Sequence, residues 1–181
     1  VTFTETRLAG VWLVNGDVFE DERGTFARAW MPGEFAARGL ETAIAQASLA
    51  TNRRRGTIRG LHYQSAPFEE VKAIRAIRGA VYDVAVDLRP DSPTYLQWEG
   101  VELSDANRRL LYVPRGCAHG YQTLSDDAEV FYFVSAAYSP AHQQGIRWND
   151  PALAIDWPLG PPTSISERDR SFPDFHAASV R

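Results

Sequence analysis

The stretch Arg59-Gly60-Leu61-His62-Tyr63-Gln64 places a guanidinium, a glycine, an imidazole and a carboxamide within six residues, between two apolar-rich runs. Bulky Leu61 and Tyr63 alternate with Gly60, His62 and Gln64, the period-two pattern of a strand. His62 and Gln64 then point to one face, and Gly60 lets another backbone or a ligand come close. A half-buried strand whose histidine is simply hydrogen-bonded has the same pattern, so these six residues alone imply a strand and leave the site open.

The neighbouring sequence repeats the strand pattern. Val11–Phe19 reads as extended, then a turn at Glu20-Asp21-Glu22-Arg23-Gly24, then Thr25–Trp30. A short helix is expected over Gly33–Arg38, with Pro32 at its start and Gly39 just past its end. Strands are then expected at Ile44–Thr51, Thr57–Gln64, Val71–Arg78, Ala80–Leu88 and Tyr95–Leu103. Three more follow at Arg109–Val113, Gly120–Leu124 and Glu129–Ala136. Turn residues separate several of them: Gly79, Pro90-Asp91-Ser92-Pro93, Pro114-Arg115-Gly116 and Asp126-Asp127. Short strands at this spacing predict an all-β antiparallel sandwich or barrel, and 181 residues without a linker or repeat predict one domain over 1–181. The run Glu129-Val130-Phe131-Tyr132-Phe133-Val134 is apolar on both faces, so one face can line the barrel while the other needs a second layer or another subunit. The tail after Tyr138-Ser139-Pro140, rich in proline and tryptophan, is expected to wrap the outside of the barrel.

Composition narrows the function classes. A net charge of −4 argues against nucleic-acid binding, although Arg53-Arg54-Arg55 forms a local basic run, either a solvated turn or an anion contact. One cysteine, Cys117, excludes an intramolecular disulfide. Ala80–Leu88 is interrupted by Asp83 and Asp87, so no membrane span is expected. The N-terminal residues carry Glu5 and Arg7 and read as no secretory signal, which makes a cytoplasmic protein the expectation.

Four more polar residues stand among apolar neighbours. Lys72 shares a strand face with Ile74 and Ala76, where a snorkelling lysine at a strand end is the ordinary reading. His119 follows a tight Pro114–Ala118 turn, and Tyr132 shares a face with Val130 and Val134. Asp169 lies in Ser166-Glu167-Arg168-Asp169, where a solvated carboxylate is the ordinary expectation.

Taken in order, these pieces resemble the dTDP-4-dehydrorhamnose 3,5-epimerase family, cupin-like enzymes acting on nucleotide-linked 4-keto-sugars. The matching stretches include Phe19–Phe26, Gly56–Gln64, Gly79–Thr94, Leu103–Asn107, Val113–Gly120, Gly145–Pro151 and Ser166–Asp169, with Lys72, Tyr132 and Tyr138-Ser139-Pro140. The resemblance implies a cupin-type jelly-roll barrel with a few short helices, a homodimer, a nucleotide-diphosphate sugar as substrate, and no cofactor or metal. It implies His62 as general base paired with Asp169, Tyr132 as general acid across the sugar ring, and Lys72 as the cation near the C4 oxygen. Arg59, Gln46, Ser48 and His119 become substrate contacts, and Tyr138 stacks on the nucleotide base. Arg23 and Phe26 lie on a segment that, in the family, reaches into the neighbouring subunit's site.

These residue types suit the chemistry. A carbon beside a ketone is acidic because its anion delocalises onto oxygen, and a histidine held by a carboxylate is a base suited to neutral pH. The enolate oxygen needs a preorganised positive charge, and inversion needs a proton donor on the opposite face. Two other readings compete. A metal-dependent cupin would use several histidines and a carboxylate, but position 64 is Gln, leaving only His62 and His119 with Glu69 or Glu70. A silent sugar-nucleotide binding module would keep Arg59 and Tyr138 but has no reason to hold His62, Asp169, Lys72 and Tyr132 together. The chain also departs from the family pattern Gln-x-Asn-x-Ser, reading Gln46-Ala47-Ser48-Leu49-Ala50, and it has Phe133 where the family commonly has lysine. Lost hydrogen-bonding groups on one wall lead us to expect altered substrate choice, or inversion at only one of C3 and C5, with chemistry retained.

Overall fold

A computed structural model describes residues 1–175 of the chain, which form thirteen strands and two short helices. The strands are β1 (Thr2–Glu5), β2 (Trp12–Asn15), β3 (Val18–Asp21), β4 (Gly24–Ala27), β5 (Gln46–Asn52), β6 (Ile58–Gln64) and β7 (Lys72–Arg78). They continue with β8 (Ala80–Asp87), β9 (Trp98–Ser104), β10 (Leu110–Val113), β11 (Cys117–Thr123), β12 (Ala128–Val134) and β13 (Gln143–Gly145). The helices are α1 (Pro32–Ala36) and α2 (Glu167–Arg170).

Two antiparallel sheets face each other. The first has the order β1-β2-β10-β7-β12-β5, the second β13-β6-β11-β8-β9, and β3 and β4 form a separate two-stranded sheet. From β5 to β8 each strand lies in the sheet opposite to its predecessor, and β10 to β13 alternate in the same way. This is a jelly-roll sandwich, the architecture expected from the short, evenly spaced strands.

Alternation sorts the side chains into three layers. Ile74, Ala76, Val81, Ala85, Leu111, Val113 and Val130 meet between the sheets. The outer face of the second sheet is covered by the C-terminal tail, with Ile146, Leu153 and Trp157 packed on Leu61, Tyr63, Val84 and Val86. The outer face of the first sheet is covered in part by α1 and its flanks, where Phe35, Trp30 and Phe3 meet Tyr112, Leu110 and Phe133. Beyond Phe133 the same face is bare: Leu49 is 58% exposed and Ile77 45%.

Several expected boundaries shift, for identifiable reasons. Val11–Phe19 is two strands, broken after Asn15 where a side chain at Gly16 would collide with the Arg28 carbonyl oxygen at 2.7 Å. Tyr95–Gln97 is turn, because Leu96 has a left-handed φ of 61° and gives its N–H to the Asp87 carbonyl. β11 begins at Cys117 rather than Gly120, so the turn before it ends at Gly116 and His119 lies inside the strand. β1, β13 and α2 carry no strong apolar periodicity and are absent from the sequence expectation.

The end of β8 is tied by one carboxylate. Asp87 is fully buried and accepts hydrogen bonds from Arg89 Nε (2.8 Å), Ser92 Oγ (2.5 Å) and Thr94 Oγ1 (2.6 Å), while Arg89 also donates to the Ala9 carbonyl. Burial works to raise the Asp87 pKa, but the hydrogen bonds from Arg89, Ser92 and Thr94 outweigh it and hold the carboxyl at about 2. A depressed native pKa stabilises the fold above the unfolded value near 3.8, and that contribution disappears as pH falls through about 2. Linkage puts it on the order of 2 kcal/mol. Asp87→Ala is therefore expected to lower the Tm at pH 7 by roughly 5 °C. In urea titrations between pH 7 and 3, the gap between variant and wild type should begin to narrow below about pH 4. A gap independent of pH would show that the loss comes from packing alone.

Candidate active site

The site begins where β6 crosses β11, with His62 opposite His119 in register. A Cβ on Gly60 would stand 2.7 Å from the Gly120 Cα and 2.8 Å from the His119 carbonyl oxygen. Gly60 also has a φ of 115°, which side chains rarely adopt, so only glycine fits here. The close approach of the two backbones places both histidines at the same level of the sandwich.

Helix α2 supplies the partner of His62. Ser166 caps it, its hydroxyl accepting from the Asp169 N–H at 3.0 Å, so the four-residue helix presents Asp169 inward. Asp169 is 5% exposed, against the expectation of a solvated carboxylate. Its Oδ1 lies 2.8 Å from His62 Nε2, and its Oδ2 accepts the Gly60 N–H at 3.1 Å. Burial would raise the Asp169 pKa, but hydrogen bonds from His62, the Gly60 N–H and Ser166 win and lower it. The carboxylate is therefore ionised and can only accept, which places the imidazole proton on Nε2 and leaves Nδ1 basic. Burial lowers the His62 pKa; Asp169 opposes this, and the positive charges of Lys72 and Arg168 add to it. His62 is thus neutral at pH 7.

Lys72 is buried at the start of β7, where a snorkelling side chain was the ordinary expectation. Its ammonium lies 3.1 Å from the His62 carbonyl oxygen and 3.2 Å from Glu70. His119 is hydrogen-bonded through Nε2 to Asp83 at 2.8 Å, and the second oxygen of this fully buried carboxylate has no partner among the described residues. Tyr132 points between the sheets, packed on the core and in register with Ile74 on one side and Ser48 on the other. Gln46 and Ser48 are hydrogen-bonded to each other at 3.0 Å on β5.

His62, Asp169, Arg59 and Arg168 line a cleft of about 550 Å³. Arg59 is shared with an adjoining cleft of about 700 Å³ that also takes in Arg53 and Arg54. The basic run Arg53-Arg54-Arg55 thus contributes two of its three arginines to the mouth of the site. Arg23 and Phe26 line neither cleft; they lie on the β3–β4 hairpin, where Phe26 is 64% exposed and Arg23 pairs with Asp21 at 2.5 Å. Tyr138 is half exposed on the loop after β12 and also lies outside both clefts. Among the described residues no three His, Cys, Asp or Glu side chains cluster as a metal site.

Three site residues are absent from the sequence expectation. Asn52 is buried and accepts from Arg59 Nε at 2.7 Å, fixing the guanidinium at the cleft. Tyr121, whose hydroxyl donates to Asn52, has its pKa pushed up to about 12 by burial and stays neutral. Phe172 stands edge-on to His62 at 5.8 Å and occupies the space a Cβ on Gly145 would need. Asn52 follows β5 alternation from Gln46 and was findable; nothing local marks Phe172.

Comparison with known proteins identifies the family and the fold. The family model for dTDP-4-dehydrorhamnose 3,5-epimerase matches residues 5–177. The dTDP-4-dehydrorhamnose 3,5-epimerase of Methanothermobacter thermautotrophicus is 42% identical over 172 residues, covering 94% of this chain and 92% of that protein. The dTDP-4-dehydrorhamnose 3-epimerase of Streptomyces niveus is also 42% identical, over 164 residues, covering 90% of this chain and 78% of that protein. The crystal structure of the Bacillus anthracis dTDP-4-dehydrorhamnose 3,5-epimerase, with TDP and PPi bound, superposes with a TM-score of 0.92 at 40% identity, covering 96% and 99% of the two chains. The chain belongs to the dTDP-4-dehydrorhamnose 3,5-epimerase family.

Proposed function

We propose that this protein epimerises a dTDP-linked 4-keto-6-deoxy-sugar at C3 and C5 through an enolate, as an isomerase of deoxysugar biosynthesis. The observation that carries this reading is the buried His62–Asp169 pair with the Lys72 ammonium on the His62 carbonyl. Neutral His62 takes the proton from the carbon beside the ketone, and ionised Asp169 stabilises the imidazolium that forms. Lys72 meets the negative charge that develops on the C4 oxygen. Tyr132 returns a proton from the opposite face, which inverts the centre. Arg59, held by Asn52, takes the diphosphate, for which a planar guanidinium is well suited. His119, Gln46 and Ser48 complete the sugar wall, and Tyr138 stacks on the base.

The working unit in this reading is a homodimer. A two-stranded hairpin is marginal alone, and β3–β4 carries Val18, Phe19 and Phe26 in the open. Arg23 and Phe26 then serve the partner's cleft, and the bare face around Leu49 and Ile77 supplies further contact area.

A second reading is favoured by one observation. Ser48 sits directly beside Tyr132 in register, and its hydroxyl is engaged by Gln46. That shortened, self-satisfied wall fits inversion of a single centre, the activity for which the Streptomyces niveus relative is named, or a different nucleotide sugar.

In heavy water, wild-type protein should exchange the C3 and C5 protons of dTDP-4-keto-6-deoxyglucose, each followed separately by NMR. Exchange at both centres, with no better substrate among GDP-, CDP- and UDP-linked analogues, supports the double epimerase; exchange at one centre supports the second reading. His62→Ala should lose 10²-fold or more of this exchange with the fold intact. Near wild-type exchange would remove His62 from the base role. The acid limb of the kcat/KM profile should lie below the ordinary histidine value of 6.5, because burial lowers the His62 pKa. Asp169→Asn removes a contribution that raises it, so the limb should move to still lower pH while the plateau falls.

Tyr132→Phe should lose epimerised product more severely than proton removal, leaving solvent exchange with retained stereochemistry. Equal loss of both would show that Tyr132 is no dedicated acid. Mixing Arg23→Ala with His62→Ala protein should recover part of the activity, since a hybrid dimer holds one intact site. A fully active monomer at assay concentration would exclude the composite site.

A further inference from the structure

We propose that Glu70 is the positioning residue of Lys72, and that the Gln64 carboxamide is the clamp that holds Glu70 in place. The inference rests on the reading of the site above and assigns work to two residues that reading leaves unused. Lys72 carries its ammonium on four flexible methylenes, and burial alone gives such a stem no preferred direction. Two protein acceptors give it one. The His62 carbonyl oxygen lies 3.1 Å from Nζ and Glu70 Oε1 3.2 Å, which leaves one of three N–H groups for a ligand oxygen.

Glu70 is itself fixed. Its side chain is only 10% exposed, and its second oxygen accepts from Gln64 Nε2 at 3.0 Å. The two N–H groups of Gln64 Nε2 are fully engaged: Glu70, the Phe68 carbonyl at 2.9 Å and the Ala137 carbonyl at 3.3 Å are all within reach, so one N–H is shared between two acceptors, while Oε1 accepts the Ser139 N–H at 2.6 Å. Gln64 lies two residues beyond His62 on the same face of β6. One strand therefore carries the base, a carbonyl that receives the cation, and the clamp on the cation's counter-charge. The distance between base and cation is set by β6 and not by the lysine stem. The same amide pins the backbone next to Tyr138, so the loop bearing that ring is registered to the same strand.

A counter-ion that merely keeps a buried lysine soluble in the fold would act on stability. A positioning residue acts on turnover, and only while Lys72 is present. The variants are Glu70→Gln, Gln64→Met, Lys72→Met and Lys72→Met/Glu70→Gln, read by kcat and KM for dTDP-4-keto-6-deoxyglucose, by slow proton exchange over hours, and by Tm. Glu70→Gln keeps the shape and removes the charge; kcat should fall about tenfold or more with KM changed less than about threefold, since small displacements of a reacting group are costly in rate. Gln64→Met should show the same split while leaving Glu70 charged, and it keeps the test alive if Glu70→Gln does not fold. Against a Lys72→Met background, Glu70→Gln should cost no further exchange and should recover Tm, because it removes a buried charge left without its counter-charge. An equal further loss in that background, or a change in KM alone, overturns the proposal. Wild-type exchange that is lost in Lys72→Met but untouched in both Glu70→Gln and Gln64→Met overturns this proposal alone. No exchange in the wild type, or full activity in Lys72→Met, overturns it together with the reading of the site.

Discussion

The tail and the barrel are joined by a charge that neither can keep alone. Asp169 stays ionised while buried because both its oxygens find donors, and both donors, His62 and the Gly60 N–H, belong to β6. An unpaired carboxylate at that depth would cost several kcal/mol, so the tail must bring Asp169 to where β6 can receive it. The tail reaches that place by burying Ile146, Leu153 and Trp157 on the outer face of the second sheet. Asp150 then holds the chain beyond α2, accepting the Phe175 N–H, and Phe172 closes over Gly145 beside the imidazole. Apolar burial outside the sandwich thus delivers an electrostatic partner to its interior.

The interior and the rim of the cleft repeat the same solution. His119 meets Asp83, Lys72 meets Glu70, and Arg59 meets the amide oxygen of Asn52. Each pairing joins two strands or a strand and its preceding loop, so these polar groups order the backbone among the same strands that carry the apolar layer. Ile74, Val81, Ala85 and Val130 supply cohesion, and the polar pairs set among them, such as Asp83 between Val81 and Ala85 on β8, supply direction.

How much of this is legible in the sequence follows from the range of each interaction. Strand alternation is local, so β6, β7, β8 and β12 can be read directly, and with them the shared face of His62 and Gln64. The helix that carries Asp169 has a local signal too, Ser166 three residues before a carboxylate, but its burial depends on a contact across more than a hundred residues. β13, reading Gln143-Gln144-Gly145, exists because β6 offers it an edge, and no property of those three residues announces a strand. Glu70 is visible in the sequence only as a spare carboxylate; its meaning comes from Lys72 and Gln64 arriving beside it. The role of the β3–β4 hairpin is hard to read from one chain for a simpler reason, since Phe19 meets Phe26 and Arg28 there and both rings still remain more than half exposed.

The alternation of strands between the two sheets has a kinetic consequence. Apart from β1–β2, β3–β4 and β8–β9, the ladders join strands distant in sequence; β2 must find β10 across roughly a hundred residues. Neither sheet can be completed before the other, because most neighbours within a sheet are separated by strands belonging to its opposite. Loop-closure entropy must be met before these contacts repay it, which places the chain among slow folders dominated by non-local pairing. During that interval the edge of β5, with Leu49 beside it, stands open to strands of other chains, so rapid refolding at low protein concentration favours recovery of the native sandwich over aggregation.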